Sequence, residues 1–142
     1  MPFTNVYIHY VWSTKNRIPV LTQQLRSLLF QHIRINAIKN KIYIDRINGY
    51  LDHVHCLIRL KPTQTISEVA RLIKGESSHW FNNRPGQKYV KLYWQEEYFA
   101  ISVSESVLPT LRIYIDNQEQ HHSKQSFAEE YDALMKYHNF NE

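Results

Sequence analysis

Apolar residues recur along the chain with a period of two in some segments and near 3.6 in others, which predicts strands alternating with helices. Segments rich in β-branched and aromatic residues are predicted to be strands, at 6–13, 41–49, 53–60 and 94–104. Helices are predicted from an N-cap at Thr22 to residue 39, from Ser67 with Glu68 to about residue 80, from a cap at Ser106 to Gln118, and over 127–137.

The order of these elements predicts the architecture. Residues 50–52 leave a connection so short that the strands on either side must be antiparallel neighbours. The order β-α-β-β-α-β followed by helices is that of a ferredoxin-like α+β fold with an antiparallel sheet. At 142 residues the chain is predicted to form one domain over 1–142. This fold hosts many functions, so it does not predict the chemistry.

Composition narrows the class of protein. Apolar residues make up 43% and charged residues 21%, which is typical of a globular protein. A net charge of +4 is compatible with nucleic-acid binding, and the ten Tyr residues are either stacking residues or half-buried core. The beginning of the sequence does not resemble a signal peptide and no apolar run has the length of a membrane span. We therefore expect a cytoplasmic protein.

Two histidines flank one apolar residue in the third predicted strand. In a strand, His53 and His55 point to the same face, where two imidazoles are costly to desolvate unless something binds them. A divalent metal ion is the obvious binder, although a packed histidine pair stays open as an alternative. Cys56 points to the opposite face and is expected to be a small core residue. As the single cysteine it excludes an internal disulfide.

A second pair of candidate residues lies in the third predicted helix. Tyr114 and Gln118 are four residues apart, so they are expected to share one helix face. The Tyr hydroxyl can attack phosphorus, and the Gln carbonyl oxygen can complete the ligand shell of a hard divalent ion. Taken singly, a tyrosine such as Tyr114 more often packs on the sheet, and a glutamine such as Gln118 is more often solvated. Together with the histidine pair they favour a reactive site.

These segments resemble a known family. His53-Val54-His55 resembles the HUH motif, and residues 114–118 resemble the nucleophile helix of the single-tyrosine HUH transposases of the simplest bacterial insertion sequences and of their REP-associated relatives. Further blocks in family order lie at 7–15, 51–57, 74–78, 94–104 and 121–122, so the resemblance runs from Tyr7 to about His138. Glu97 stands where the family pattern has Gly, which puts the local strand geometry in question.

The resemblance implies cleavage and rejoining of single-stranded DNA at hairpin-marked ends through a 5′-phosphotyrosine on Tyr114. It implies that His53, His55 and Gln118 hold Mg²⁺ or Mn²⁺. It also implies a homodimer, in which the tyrosine helix of some members completes the partner's site. Three neighbouring residues stay open. Asp52 either holds the second nitrogen of His53 or serves a turn. His121 and His122 either contact phosphate, donate a proton, or cap a helix end.

Basic and aromatic side chains supply the candidate DNA contacts. Taken singly, each basic candidate is more often a solvated surface charge, and the sequence gives each aromatic candidate only weak support. The candidates are Lys15, Arg17, Lys74, Arg84, Lys88 and Lys91, with Trp12, Trp80 and Tyr89 as stacking residues. Three other functions stay open: a domesticated relative that processes chromosomal repeat hairpins, an inactive hairpin-binding module, and a metal-dependent hydrolase that forms no covalent adduct.

Overall fold

The computed structural model of the chain describes residues 2–86, 90–122 and 124–138. Its four strands are β1 (Val6–Ser13), β2 (Tyr43–Gly49), β3 (His53–Leu60) and β4 (Phe99–Val103). They form one sheet in the order β2-β3-β1-β4, and each neighbouring pair is antiparallel. This is the strand order of the ferredoxin-like arrangement, so the predicted α+β class is confirmed.

Five α-helices occur in the described residues, with short 3₁₀ turns at Lys15–Arg17 and Glu105–Val107. They are α1 (Gln23–Lys39), α2 (Ile66–Asn82), α3 (Leu108–Asp116), α4 (Gln118–His122) and α5 (Phe127–Tyr137). Thr22 is the N-cap of α1, as predicted, and its side chain accepts a hydrogen bond from the backbone of Leu25. No helix in this part of the chain is long and apolar enough to cross a membrane.

The two faces of the sheet are covered by different helices. On one face Val54, Cys56 and Ile58 of β3 belong to the main apolar core, which includes Leu29 of α1 and Ile73 of α2. On the other face two smaller clusters form. Leu57 packs with Leu108 and Ile115 of α3, and Val11 and Phe99 pack with Phe127 of α5. Because side chains alternate along a strand, the histidine face of β3 lies under α3, α4 and α5.

Two predicted helix starts are wrong. Helix α2 begins at Ile66, because the hydroxyl of Thr65 accepts the backbone N–H of Glu68 at 3.1 Å and so caps the helix before Ser67. Helix α3 begins at Leu108, after the 3₁₀ turn. Ser106 lies inside that turn and its hydroxyl contacts the hydroxyl of Ser104 at 3.2 Å, so it does not cap a helix.

Two predicted strands are shorter than expected. Strand β2 begins at Tyr43 because Lys41 has a positive φ of 58°, which belongs to a turn. Strand β4 begins at Phe99, and Trp94 makes only an isolated bridge to Thr14. The intervening carbonyls of residues 95–97 accept hydrogen bonds from the Lys74 ammonium at 2.8–3.4 Å, so they are not used in a strand ladder. Glu97 therefore lies in a loop.

Tyr114 and Gln118 do not share one helix, contrary to the prediction. Helix α3 ends at Asp116, Asn117 is its C-cap, and Gln118 begins α4. The cause lies on β2: the side-chain amide of Asn48 donates to the carbonyls of the last two residues of α3, at 2.8 and 3.2 Å. These hydrogen bonds satisfy the helix end from outside and allow the chain to turn there.

Candidate metal and nucleophile site

The histidines of β3 are both fully buried, and each has one ring nitrogen held from behind. Nδ1 of His53 lies 2.9 Å from a carboxylate oxygen of Asp52. Nδ1 of His55 lies 2.9 Å from Nε2 of His9, which is also buried, on β1. Such contacts fix the orientation of a ligating imidazole. Of the two roles left open for Asp52, its side chain takes the one beside the second nitrogen of His53.

The remaining nitrogens of the two histidines face a common point. Nε2 of His53, Nε2 of His55, a ring nitrogen of His122 on α4 and a carboxylate oxygen of Glu130 on α5 all lie within 4.8 Å of one another. One oxygen of Glu130 is 3.1 Å from Nε2 of His55, 3.3 Å from Nε2 of His122 and 3.5 Å from Nε2 of His53. Gln118 adds its carbonyl oxygen, 3.1 Å from Nε2 of His53. The cluster has the donor types and the spacing of a metal site.

The hydrogen bonds around His53 give an independent indication of a cation. When Nδ1–H of His53 donates to Asp52, its Nε2 carries a lone pair. This lone pair faces the carbonyl oxygen of Gln118, whose own NH₂ group donates to the carbonyl of Tyr114 at 3.2 Å. Two acceptors 3.1 Å apart require either a cation between them or a second proton on the imidazole.

His122 gives the same indication. Its Nδ1 donates to the carbonyl of Gln125 at 2.7 Å, so its Nε2 carries the lone pair. That Nε2 is buried and makes no hydrogen bond within the described residues. A lone pair without a hydrogen bond that lies in a cluster of ligand atoms fits a bound divalent ion. The sequence left three roles open for His122, and the structure places it in this cluster.

Burial favours the neutral, metal-binding form of the imidazoles of His55 and His122. Burial, then the neighbouring His53, lowers the pKa of His55 well below its usual value. The same two causes lower the pKa of His122 to about 4. Both are therefore neutral near pH 7, which is the form that binds a metal. Burial raises the pKa of the Glu130 carboxyl to about 7, against an opposing effect of His53.

Tyr114 lies beside this cluster in the same chain. Its ring is edge-on to the ring of His55, with the centroids 5.6 Å apart. Its hydroxyl donates to the second carboxylate oxygen of Glu130 and lies 3.4 Å from Nε2 of His121. The sequence therefore predicted three residues, His53, His55 and Gln118, that meet at one point, and a fourth, Tyr114, that adjoins them.

Two residues of the site, His9 and Glu130, could not be predicted from the local sequence pattern. His9 alternates with core residues in β1, and only the strand register, which pairs Val11 with His55, brings it beside that histidine. Glu130 lies in an amphipathic helix, where glutamates are common. The position of Glu130 is fixed by the start of that helix, because Phe127, one turn before Glu130, stacks on His53 with the ring centroids 4.2 Å apart.

The candidate DNA contacts lie in different surroundings. Lys15 is exposed, and the guanidinium of Arg17 lies over the rings of Phe127 and Tyr131, at 5.3 and 5.7 Å. Arg17 also lines a cavity of about 390 Å³ between the Lys15–Arg17 turn and α5. The Lys74 ammonium, by contrast, is bound by three backbone carbonyls and supports the loop before β4.

The other candidates lie near or beyond the end of α2. Arg84 lies over the rings of Phe81 and Trp80, at 4.4 and 5.6 Å, and Lys91 donates to the carbonyl of Asn82. Lys88 and Tyr89 lie outside the described residues.

The surroundings of Trp12 and Trp80 do not match the prediction that these side chains stack on DNA bases. Trp12 is only 2% exposed, so it has no free face for a base and is a core residue. Trp80 already stacks on His32, with the centroids 3.9 Å apart and the rings nearly parallel.

An antiparallel sheet whose inner strand presents two histidines to a helix-borne tyrosine is the design of the single-tyrosine HUH transposases. The family model described as "Transposase IS200 like" matches residues 2–118, and the chain belongs to that family. His122 and Glu130 lie beyond the matched residues.

Individual relatives agree with this assignment. The chain is 28% identical over 114 residues to the ISDra2 transposase TnpA of Deinococcus radiodurans, covering 78% of this chain and 81% of that protein. A crystal structure from Deinococcus radiodurans R1, described as a candidate transposase, is 25% identical and superposes with a TM-score of 0.64, over 82% of this chain and 93% of that one. A REP-associated tyrosine transposase bound to a REP hairpin shares the fold, with a TM-score of 0.60 at 17% identity, over 89% of this chain and 72% of that one.

Proposed function

We propose that this transposase cleaves and rejoins single-stranded DNA with Tyr114 as the nucleophile. The observation that carries the proposal is the position of the Tyr114 hydroxyl, which lies against the same buried cluster that includes His53 and His55. A tyrosine that only packed on the sheet would not need its hydroxyl in a cluster of metal-ligand type. Because the Tyr114 hydroxyl contacts the cluster of its own chain, we propose an active site that is complete in cis.

The proposed reaction is a transesterification, in which no bond energy is lost to hydrolysis. The Tyr114 oxygen forms a bond to the scissile phosphorus, and the bond from phosphorus to the 3′-oxygen of the preceding nucleotide breaks. The phenol loses its proton, the leaving 3′-oxygen gains one, and the downstream DNA stays on the enzyme as a 5′-phosphotyrosine. A 3′-hydroxyl attacks this linkage in the rejoining step, which needs no nucleotide cofactor.

The metal ligands proposed for this reaction are His53, His55 and Gln118, with Mg²⁺ or Mn²⁺ as the ion. The oxygen of the amide suits a hard cation, while the imidazoles shift the intrinsic preference toward Mn²⁺. When bound, such an ion polarises a phosphoryl oxygen and stabilises the charge that develops on it. Asp52 and His9 orient the two imidazoles from behind, so both rings are held before DNA arrives.

The proposed substrate is single-stranded DNA next to a hairpin, and the proposed assembly is a homodimer. A relative with the same fold binds a REP hairpin, and this chain has a net charge of +4. Lys15 and Arg17 are both exposed, and Arg17 lines the cavity beside α5; they are proposed to contact the DNA backbone. Lys74 is a weaker candidate because three backbone carbonyls already bind its ammonium group, and Arg84 is one because it lies over Phe81 and Trp80 near the end of α2. Backbone contacts of this kind make binding fall steeply with salt.

The proposal is tested by trapping the covalent intermediate. Single-stranded DNA carrying the element end is labelled at its 3′ end and incubated with the protein and Mn²⁺, and the products are separated on a denaturing gel. We expect a labelled protein–DNA band, which Tyr114→Phe abolishes. Tyr93→Phe is the matched control, because that tyrosine is exposed and distant in sequence, and it should leave the band unchanged.

The alternatives give different results in the same experiment. A metal-dependent hydrolase releases a 5′-phosphate with no protein-linked band, and an inactive binding module shifts the hairpin on a native gel without cleaving it. A band that persists in Tyr114→Phe contradicts the assignment of the nucleophile. A domesticated relative behaves like a transposase in this assay and is distinguished by scattered repeats, rather than flanking hairpins, around the gene.

A further inference from the structure

We propose that Glu130 is a ligand of the metal site and, through its other oxygen, the residue that positions the nucleophile Tyr114. This inference rests on the proposed function, because it assigns a role within the same site. It adds a carboxylate from α5 to the ligands on β3 and α4. It also connects the ion to the attacking hydroxyl through a single side chain.

The two carboxylate oxygens of Glu130 face different partners. The first is 3.1 Å from Nε2 of His55 and 3.3 Å from Nε2 of His122, so it lies among the ligand atoms. The second accepts the hydroxyl of Tyr114 and is 3.4 Å from Nε2 of His121. A carboxylate arranged in this way bridges the imidazole cluster and the phenol. Both oxygens of the Glu130 side chain therefore have partners inside the site.

The burial of Glu130 gives a second reason to place a cation here. The residue is 2% exposed, and a buried carboxylate is costly unless a charge compensates it. Within the described residues its ion-pair contacts are all with histidines, and none is with a lysine or an arginine. Asp52 adds a second carboxylate behind His53. A divalent cation between these groups supplies the missing positive charge, and carboxylate oxygen is a ligand that Mg²⁺ and Mn²⁺ favour.

The start of α5 fixes where Glu130 lies. Ser126 and Glu129 form a capping box, which defines the first turn of the helix. Phe127 and Glu130 are three residues apart, so they share the buried face of that turn. Phe127 packs with Val11 and Phe99 of the sheet and stacks on the ring of His53, and these contacts place Glu130 over the cluster. These residues follow the part of the chain that matches the family model, so the role proposed for Glu130 adds to what that match describes.

The test compares Glu130→Gln with Asp132→Asn, which makes the same chemical change at an exposed position of the same helix. Mn²⁺ binding is measured by titration calorimetry without DNA. Loss of a group that only orients a ligand costs roughly 10–100-fold in metal affinity, and we expect at least that loss in Glu130→Gln. Asp132→Asn should stay within about twofold of the wild type.

The positioning role has its own measurement. At saturating Mn²⁺ and saturating DNA, the single-turnover cleavage rate of Glu130→Gln should fall at least tenfold, while its affinity for the DNA hairpin stays unchanged. A normal rate under these conditions refutes positioning and leaves the ligand role. Should Glu130→Gln fail to fold, Glu130→Asp replaces it, since it keeps the charge but is too short to reach both partners. Wild-type affinity and rate in that variant overturn the proposal.

His55→Ala separates this inference from the proposed function. If His55→Ala binds Mn²⁺ as tightly as the wild type, the metal site itself is wrong. If His55→Ala loses Mn²⁺ and Glu130→Gln does not, only the role of Glu130 is refuted. Melting temperatures of all variants, measured without metal, confirm that each comparison is made between folded proteins.

Discussion

Gly49, the last residue of β2, allows the backbone of β3 to approach closely at His53, the first of the proposed metal ligands. A Cβ placed on Gly49 would lie 2.2 Å from the carbonyl oxygen of His53 and 3.2 Å from the Cα of Val54. Both contacts are with backbone atoms, so no side chain can rotate away to relieve them. Gly49→Ala must therefore move β3 away from β2 by roughly 1 Å, at the place where His53 is held.

The magnitude follows from the size of this overlap. Overpacking of this kind costs about 1–3 kcal/mol of unfolding free energy. In a protein of this length that corresponds to a fall of roughly 3–12 °C in melting temperature. The displacement also strains the hydrogen bond from the backbone of Tyr50 to the carbonyl of His53, now 3.1 Å long. Because a misplacement of about 1 Å can cost 10²-fold in rate, we expect cleavage to fall by about that factor.

Gly75 provides the control for this substitution. It is exposed in the interior of α2, and a Cβ there meets nothing within 4 Å. Gly75→Ala should therefore stabilise the protein by about 1 kcal/mol through helix propensity and raise the melting temperature by roughly 3 °C. Urea denaturation and calorimetry measure both variants. A Gly49→Ala protein as stable as the wild type would refute the close approach of β2 and β3.

Three further predictions concern the site and its strand. Asp52→Asn should weaken Mn²⁺ binding roughly 10–100-fold, because the amide holds the ring of His53 less firmly; calorimetry measures this, and unchanged affinity would exclude the orienting role. A mixture of His55→Ala and Tyr114→Phe should form no covalent DNA adduct if the active site is complete in one chain, as proposed; recovery of the adduct would show that subunits share it. Cys56 should react with a thiol reagent only after denaturation, because complete burial raises its pKa and keeps the thiol protonated at neutral pH; rapid reaction of the native protein would contradict that burial.

The features predicted correctly from the sequence depend on local spacing. The shared face of His53 and His55 follows from the two-residue period of a strand, and the four strands follow from runs of β-branched residues. The ferredoxin-like order then follows from the short connection between β2 and β3. The predicted helix starts at Ser67 and Ser106 were wrong for a related reason, since several neighbouring hydroxyl residues compete to cap each helix and the spacing does not decide between them.

The features that the sequence could not predict depend on contacts between distant segments. The break at Asn117 depends on the side chain of Asn48, which comes from β2. The contact between His9 and His55 depends on the register of β1 against β3. Glu130 reaches the cluster only because α5 packs on the sheet. None of these pairings leaves a periodic signal, because each joins segments that are far apart in the chain.

The alternation of side chains along β3 separates stability from chemistry. Val54, Cys56 and Ile58 face α1 and α2 and are buried in the main core, while His53 and His55 face α3, α4 and α5. The apolar face holds the strand in place, and that rigid strand fixes the two imidazoles before a ligand binds. The opposite face can therefore carry buried polar groups whose cost the core offsets. This division explains how so small a chain holds buried imidazoles and a carboxylate together on one side of its sheet, within reach of a tyrosine.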